Sequence, residues 1–181
     1  MTWMVASDLH GSAAVCENVL AAFEREGADR LLLLGDLLYH GPRNPLPDGY
    51  DPRRCFELLN SHRDRILCVR GNCDAAEYQM VLEFPIMAEY LLLQLGGRTV
   101  FATHGDVWTP EHPPLMPPGF ILLAGHTHLP ACEEYPGFLY LNPGSPSLPK
   151  NTAHRGYLIL EEEAVTFKEL NGSVYLTHPL V

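Results

Sequence analysis

The chain is poor in basic charge. Its 181 residues hold 12 Lys and Arg against 22 Asp and Glu, a net charge of -10. Proteins that coat nucleic acid or an anionic membrane neutralise phosphates with Lys and Arg, so this balance argues against a long polyanion as partner. A small phosphorylated substrate held by bound cations stays open. No run approaches the roughly 18 apolar residues of a membrane span. The first residues lack a basic segment, and Asp8 interrupts their apolar run too early for a signal peptide. No CxxC pair occurs, and the five cysteines (Cys16, Cys55, Cys68, Cys73 and Cys132) are an odd number. Reduced thiols in a cytoplasmic protein are therefore expected rather than a disulfide framework. Repeats, low-complexity tracts and linkers are missing as well. Residues 1–181 read as a single domain whose 46% hydrophobic content suffices for its own core.

What the chain does have is a succession of short apolar runs. Thr2 to Ser7 reads as a buried strand. Ser12 then offers an N-cap, and Val15, Val19, Ala22 and Phe23 form a helical face ending near Gly27. "RLLLLGD" and "ILCVRGN" are further strands, with a helix around Phe56 to Leu59 between them. "YLLLQLGGRTVFATHG" predicts a hairpin turning at Gly96-Gly97, followed by strands in "FILLAGHTH" and "FLYLNPGS" and a second hairpin in "GYLILEEEAVTFKEL". A βαβα first half and a strand-rich second half imply stacked sheets with helices outside. The longest irregular stretch, "HGPRNPLPDGYDP", holds four prolines in thirteen residues, a length at which loops tend to be functional.

The polar residues fall at one kind of place on that map. Asp8 and His10 follow the first strand, Asp36 the second and Asn72 the third; His104 ends "TVFATHG", and His126 and His128 end "ILLAG". In an open α/β sheet, carboxyl ends of strands share a rim where ligands bind. A lone DxH or GD means little, because Asp often caps a turn, and two histidines two apart can sit in any polar loop. Recurrence of four such elements, each at a strand end after an apolar run, is what carries the inference. Seven N/O donors are too many for one transition metal and suit two. A carboxylate such as Asp36 can bridge ions about 3.5–4 Å apart, a pair that activates water and clamps a phosphoryl group.

The series D-x-H, GD, GNxD, THG and GHTH, in that order, resembles the calcineurin-like metallophosphoesterase superfamily. More specifically, "ASDLHGS", "LLYHGPRNPLPDGY", "RGNCD", "GHTHLP" and "NPGS" are similar to the small bacterial YfcE-type phosphodiesterases. The resemblance runs from about Ser7 to Lys150. It implies a two-sheet α/β sandwich with a dimetal centre at the strand ends. It implies that Asp8, His10 and His128 hold one metal, that Asn72, His104 and His126 hold the other, and that Asp36 bridges them. Two divalent ions follow, commonly Mn²⁺, although mixed imidazole and carboxylate donors also accept Fe, Co, Ni or Zn. The implied reaction is hydrolysis of a small phosphodiester by a water bridging the metals, with Asp36, Asn72, Cys73, Asp74 and His104 in the catalytic set.

Cys73 departs from the pattern. Many members of the superfamily place a His there, able to protonate the leaving group or bind phosphate. A thiol does neither well near neutral pH, which favours substrates whose leaving group needs little protonation. Asp74, the usual acidic neighbour, is present. His40, Arg43 and Asn44 of the long loop are expected to contact substrate, Asn142 to Ser145 to stabilise a turn, and His62, His112, His154 and His178 to lie on the surface. A phosphomonoesterase and a non-catalytic binding scaffold of the same fold are the alternatives, and a homo-oligomer is left open.

Overall fold

The computed structural model describes residues 1–151 and 154–180; Thr152, Ala153 and Val181 of the expected 1–181 domain lie outside the described residues. Four side chains set its layers. In β1 (Trp3–Ala6), Trp3 and Val5 face one way and Met4 and Ala6 the other, and all four are buried. A strand apolar on both faces belongs inside a covered, parallel sheet. β2 (Arg30–Leu33) and β3 (Ile66–Cys68) duly extend it in parallel, with Val5 opposite Leu32 and Leu33 opposite Cys68.

Two helices cover the Met4 face. α1 (Ala13–Glu26) begins where Ser12 Oγ accepts from the amide of Val15 at 3.2 Å, and it stops at Gly27, which takes φ 63°. Its Cys16, Val19 and Phe23 bury against Met4, Leu31 and Leu33. α2 (Pro52–Asn60) is capped by Asp51, whose carboxylate accepts from the amide of Arg54 at 3.0 Å. Pro52 adds a preset φ at the first helical position.

The second sheet is built from β4 (Tyr90–Leu95), β5 (Arg98–Thr103), β6 (Phe120–Leu123), β7 (Pro130–Tyr135) and β8 (Phe138–Pro143), in the order β4-β5-β6-β8-β7. The β4–β5 hairpin turns at Gly96-Gly97 as expected, and β5, β6 and β8 run parallel. β9 (Gly156–Leu160), β10 (Ala164–Glu169) and β11 (Val174–Pro179) complete the first sheet, β11-β10-β9-β1-β2-β3. Trp3, Val5 and Leu32 of one sheet meet Val100, Ile121 and Leu139 of the other in one buried cluster. This is the expected two-sheet sandwich, with both helices on the outer face of the first sheet.

β7 and β11 were not foreseen. Both are edge strands. β7 starts at a proline and exposes Glu133 and Glu134, so its sequence carries no apolar alternation to read.

Candidate metal centre

Loops leaving β1, β2, β3, β5 and β6 converge on one rim, and those after β1, β2 and β6 carry strained backbone. Among the described residues, the non-glycines with positive φ are Asp8 (58°), His10 (49°), Asp36 (56°), His126 (65°), His128 (62°) and Asn151 (50°). Each such residue costs on the order of 1–3 kcal/mol, and this kind of strain collects at functional sites. All but Asn151 are donors that the sequence singled out. Two glycines permit the approach. A Cβ on Gly71 would stand 2.1 Å from Asp36 Oδ1, and one on Gly125 would stand 1.9 Å from Ser7 Oγ and 2.7 Å from Asp8 Oδ2.

The donors face inward. Nε2 of His10 lies 3.0 Å from Nε2 of His128, and Asp8 Oδ1 is 3.6 and 3.3 Å from these two nitrogens. Asp36 Oδ2 is 3.7 Å from His10 Nε2 and 3.5 Å from His104 Nε2, so a single oxygen reaches both halves of the site. His104 Nε2 is in turn 3.0 Å from Asn72 Oδ1 and 3.2 Å from His126 Nδ1. His126 and His128 do not share a strand face, because both lie in the turn after β6 and diverge to opposite halves.

The outer atoms of these side chains are already committed. His10, His104 and His128 each give the Nδ1 proton to a main-chain carbonyl, that of Tyr39 (2.8 Å), Leu34 (2.6 Å) and Leu148 (2.7 Å) respectively. A carbonyl only accepts, so the bond fixes each ring with Nε2 toward the centre, as metal-ligating histidines are held. Asp8 Oδ2 accepts from Ser7 Oγ at 2.6 Å and from the amide of His126 at 2.9 Å, while Asp36 Oδ1 accepts from the amide of Cys73 at 2.8 Å. One inward atom is left over: Asp8 Oδ1 is buried without a hydrogen-bond partner among the described residues.

Charge in the site runs the same way. Burial opposes ionisation of Asp8, but His10 and His128 hold its carboxyl below the usual range. Asp36 is likewise lowered, with His104 overcoming burial. Burial pulls His104 down, yet Asp36 and Asp8 raise it to about 10. Burial and the neighbouring His104 lower His126. Two buried carboxylates thus draw positive charge to the centre. An orphaned carboxylate oxygen among inward imidazole nitrogens fits a divalent cation. Asp8, His10 and His128 form one group with donor atoms within 4.8 Å of one another, and Asp8, Asp36 and His104 form another.

Asp74 occupies a different place from the one its catalytic assignment supposes. It is buried behind Asp36, where Oδ2 accepts from the amides of Asp36 (2.7 Å) and Gly71 (2.8 Å) and Oδ1 from the amide of Leu37 (2.9 Å). Burial and the charge of Asp36 raise its pKa to about 6 despite these amides. Its carboxylate shapes the turns that carry Asp36 and Asn72. Asn142 and Ser145 also do more than hold their own turn. Asn142 Nδ2 donates to the carbonyl of Gly125 at 2.7 Å, Ser145 Oγ to that of Asp8 at 2.8 Å and Ser147 Oγ to that of Leu9 at 2.6 Å.

A cavity of about 420 Å³ opens over the donors, lined by His10, Asp36, Asn72, Cys73, His126 and His128. Arg43 and Asn44 line it too, as does Lys150, which the sequence offered no reason to select. His40 is not among its walls: Asn44 Nδ2 donates to the His40 carbonyl at 2.9 Å, and its ring packs edge-on to Tyr50 at 5.4 Å. Cys73 is half-buried, and burial followed by the charge of Asp36 pushes its thiol up to about 12. Of the four histidines expected on the surface, His112 is exposed, while His62, His154 and His178 are half-buried, His154 with its ring stacked on Tyr175 at 3.9 Å.

Comparison with known proteins agrees with this arrangement. Residues 1–164 match the family described as the calcineurin-like phosphoesterase superfamily domain. Phosphodiesterase YfcE of Escherichia coli strain K12 is 42% identical over 171 residues, 94% of this chain and 93% of that protein. The solved structure of YfcE, a phosphoesterase from E. coli, aligns with a TM-score of 0.96 at 40% identity and covers the whole of both chains. Vacuolar Protein Sorting 29 from Cryptosporidium parvum has the same fold, with a TM-score of 0.65 at 19% identity over 98% of this chain and 96% of that one.

Proposed function

The chain belongs to the calcineurin-like phosphoesterase superfamily, a family of metal-dependent enzymes, and on that premise we propose that it is a cytoplasmic phosphodiesterase of a single domain acting on a small phosphodiester. The observation that supports this most is the unpartnered Oδ1 of Asp8 beside Nε2 of His10 and His128. In our assignment Asp8, His10 and His128 hold one divalent ion, Asn72, His104 and His126 hold a second, and Asp36 is shared, with Mn²⁺ the expected metal. Ions bound there supply an activated water and neutralise phosphoryl charge.

The rest falls to the protein. Carbonyls of Tyr39, Leu34 and Leu148 keep three imidazoles aimed, so the site is preorganised before substrate arrives. Arg43, Asn44 and Lys150 line the cavity, and in this reading they would meet the nonbridging oxygens of the phosphate. Cys73 brings no imidazole to the leaving-group oxygen, which favours diesters with good leaving groups over alkyl monoesters.

Activity against an activated aryl diester tests the reading. Turnover should need added divalent metal, stop with chelator and be lost in His104→Ala. A protein that cleaves no diester in a broad panel above the His104→Ala control, under any divalent metal, would be a scaffold instead.

A further inference from the structure

Two cavities of opposite character meet at His126. The cavity over the metal donors carries the cationic side chains Arg43 and Lys150. The other, of about 570 Å³, shares His126 with it and is walled by Trp108, Tyr135 and Tyr140. Its acidic side chains are Asp106, Glu111 and Glu133, and no Lys or Arg among the described residues lines it.

The aromatic walls are braced from behind. Trp108 packs edge-on to Tyr90 at 5.4 Å and to Phe101 at 5.2 Å, and Tyr135 stacks on Phe138 at 5.0 Å and 5°. Tyr135 also gives its hydroxyl proton to Glu133 at 2.9 Å. Aromatic faces attract cations through their quadrupole, most of all quaternary ammonium groups. A neutral arm would gain from the rings alone; a cation gains from the rings and the carboxylates together. An anionic arm would be repelled.

We propose that this cleft is a subsite for an ammonium-bearing arm of the diester, so that the preferred substrate is a zwitterion. Its phosphate lies toward Arg43 and Lys150 and its cation against Trp108 and Tyr135, which matches the charge of each cavity. This rests on the phosphodiesterase reading for the identity of the phosphate end only.

Two diesters with one leaving group test it: p-nitrophenyl phosphorylcholine and its uncharged carbon isostere, p-nitrophenyl 3,3-dimethylbutyl phosphate. In both, water adds to phosphorus and the bond to p-nitrophenolate breaks, so only the retained arm differs. The metal-loaded enzyme should favour the cationic diester by about tenfold or more in kcat/KM, and Trp108→Leu and Glu133→Gln should each bring the ratio toward one. A ratio of one or below in the unmodified enzyme, or a preference that survives both substitutions, overturns the proposal. A second readout needs no turnover. Tetramethylammonium titrated into the metal-free protein should shift the indole N–H resonance of Trp108 but not that of Trp3, which is buried in the core. No movement of Trp108 also overturns the subsite. If no diester is cleaved under any metal, the phosphodiesterase reading fails, and the Trp108 titration still decides the cleft.

Discussion

Nε2 of His10 points at Nε2 of His128 across 3.0 Å, and each ring has its other nitrogen tied to a main-chain carbonyl. The tie leaves a lone pair on both inner nitrogens unless one of them is protonated. Two lone pairs that close repel, and Asp8 Oδ1 adds a carboxylate oxygen to the same point. Only positive charge relieves the contact. The protein holds this arrangement with left-handed backbone at Asp8, His10 and His128, so strain and electrostatic repulsion coincide at one spot.

Metal should therefore stabilise the fold as well as activate it. A ligand that binds only the native state adds about 2.7 kcal/mol at a hundredfold excess over Kd. Chelator should lower the Tm of the purified protein, and Mn²⁺ should restore it. Asp36→Ala should lose both ions and His10→Ala mainly one, as metal analysis by mass spectrometry would register. Two ions retained in Asp36→Ala would refute the shared role of that carboxylate.

The three amides held by Asp74 give a prediction that separates framework from chemistry. Asp74→Asn keeps the shape of the side chain but presents an NH₂ group where a carboxylate oxygen accepted. Breaking buried hydrogen bonds to a charged group costs roughly 1.5–3 kcal/mol each. The variant should lose about 2–4 kcal/mol in urea unfolding, and its metal affinity should fall because Asp36 and Asn72 lose their support. Wild-type stability combined with lost turnover would instead place Asp74 in the chemistry.

A second network, remote from the metal centre, sets part of the acid sensitivity. Glu26 at the end of α1 accepts from Lys168 Nζ and from the Tyr157 hydroxyl, both at 2.6 Å, which ties the helix to β10 and β9. Burial alone would raise the carboxyl, but Lys168 and Tyr157 bring it below its ordinary 4.5. A lowered folded-state pKa contributes stability that is complete above the unfolded value and lost as pH falls through the folded one. Glu26→Gln should thus cost about 1–2 kcal/mol at neutral pH, and the gap to wild type should shrink below the ordinary glutamate pKa. Urea midpoints across acidic pH give the comparison. A gap independent of pH would mean that packing, not charge, is what Glu26 supplies.

The sequence told where donors sit but not which way side chains point. Asp8, Asp36, Asn72, His104 and His128 were legible because each follows an apolar run, and parallel strands place such ends on one rim. Asp74 was not. Its spacing from Asn72 is the same whether the carboxylate faces substrate or turns back onto amides. Ser145 was legible only as part of a turn, since its bond to the Asp8 carbonyl spans 137 positions. Nothing local marks Lys150 either; the strained turn at Asn151 and the chain's path past His128 bring it to the cavity. The cleft of Trp108 and Tyr135 combines a loop with an edge strand, and a strand opening on proline with two exposed glutamates gives no periodicity to detect.

The residue after Asn72 is expected to decide which esters are cleaved poorly. Cys73 lines the cavity beside Asp36 and Asn72, and its amide donates to Asp36 Oδ1 at 2.8 Å, a contact that a side-chain substitution leaves in place. Cleavage of an aryl diester asks mainly for a nucleophile and for neutralised phosphate. An alkyl monoester dianion also needs a proton on its departing alkoxide, and a thiol is a weak donor for that step. General acid catalysis contributes about 10²–10⁴-fold, so its lack should penalise such monoesters most, and rates should fall steeply as leaving-group pKa rises. Cys73→His would supply an imidazole at this position and should raise monoesterase activity selectively. Cys73→Ala should keep diester turnover within about tenfold of wild type, since the thiol transfers no proton there. The comparison is kcat/KM for matched aryl mono- and diesters across the three proteins, each with its metal content measured. Loss of diester cleavage in Cys73→Ala with metal fully retained would make the thiol a participant in the reaction.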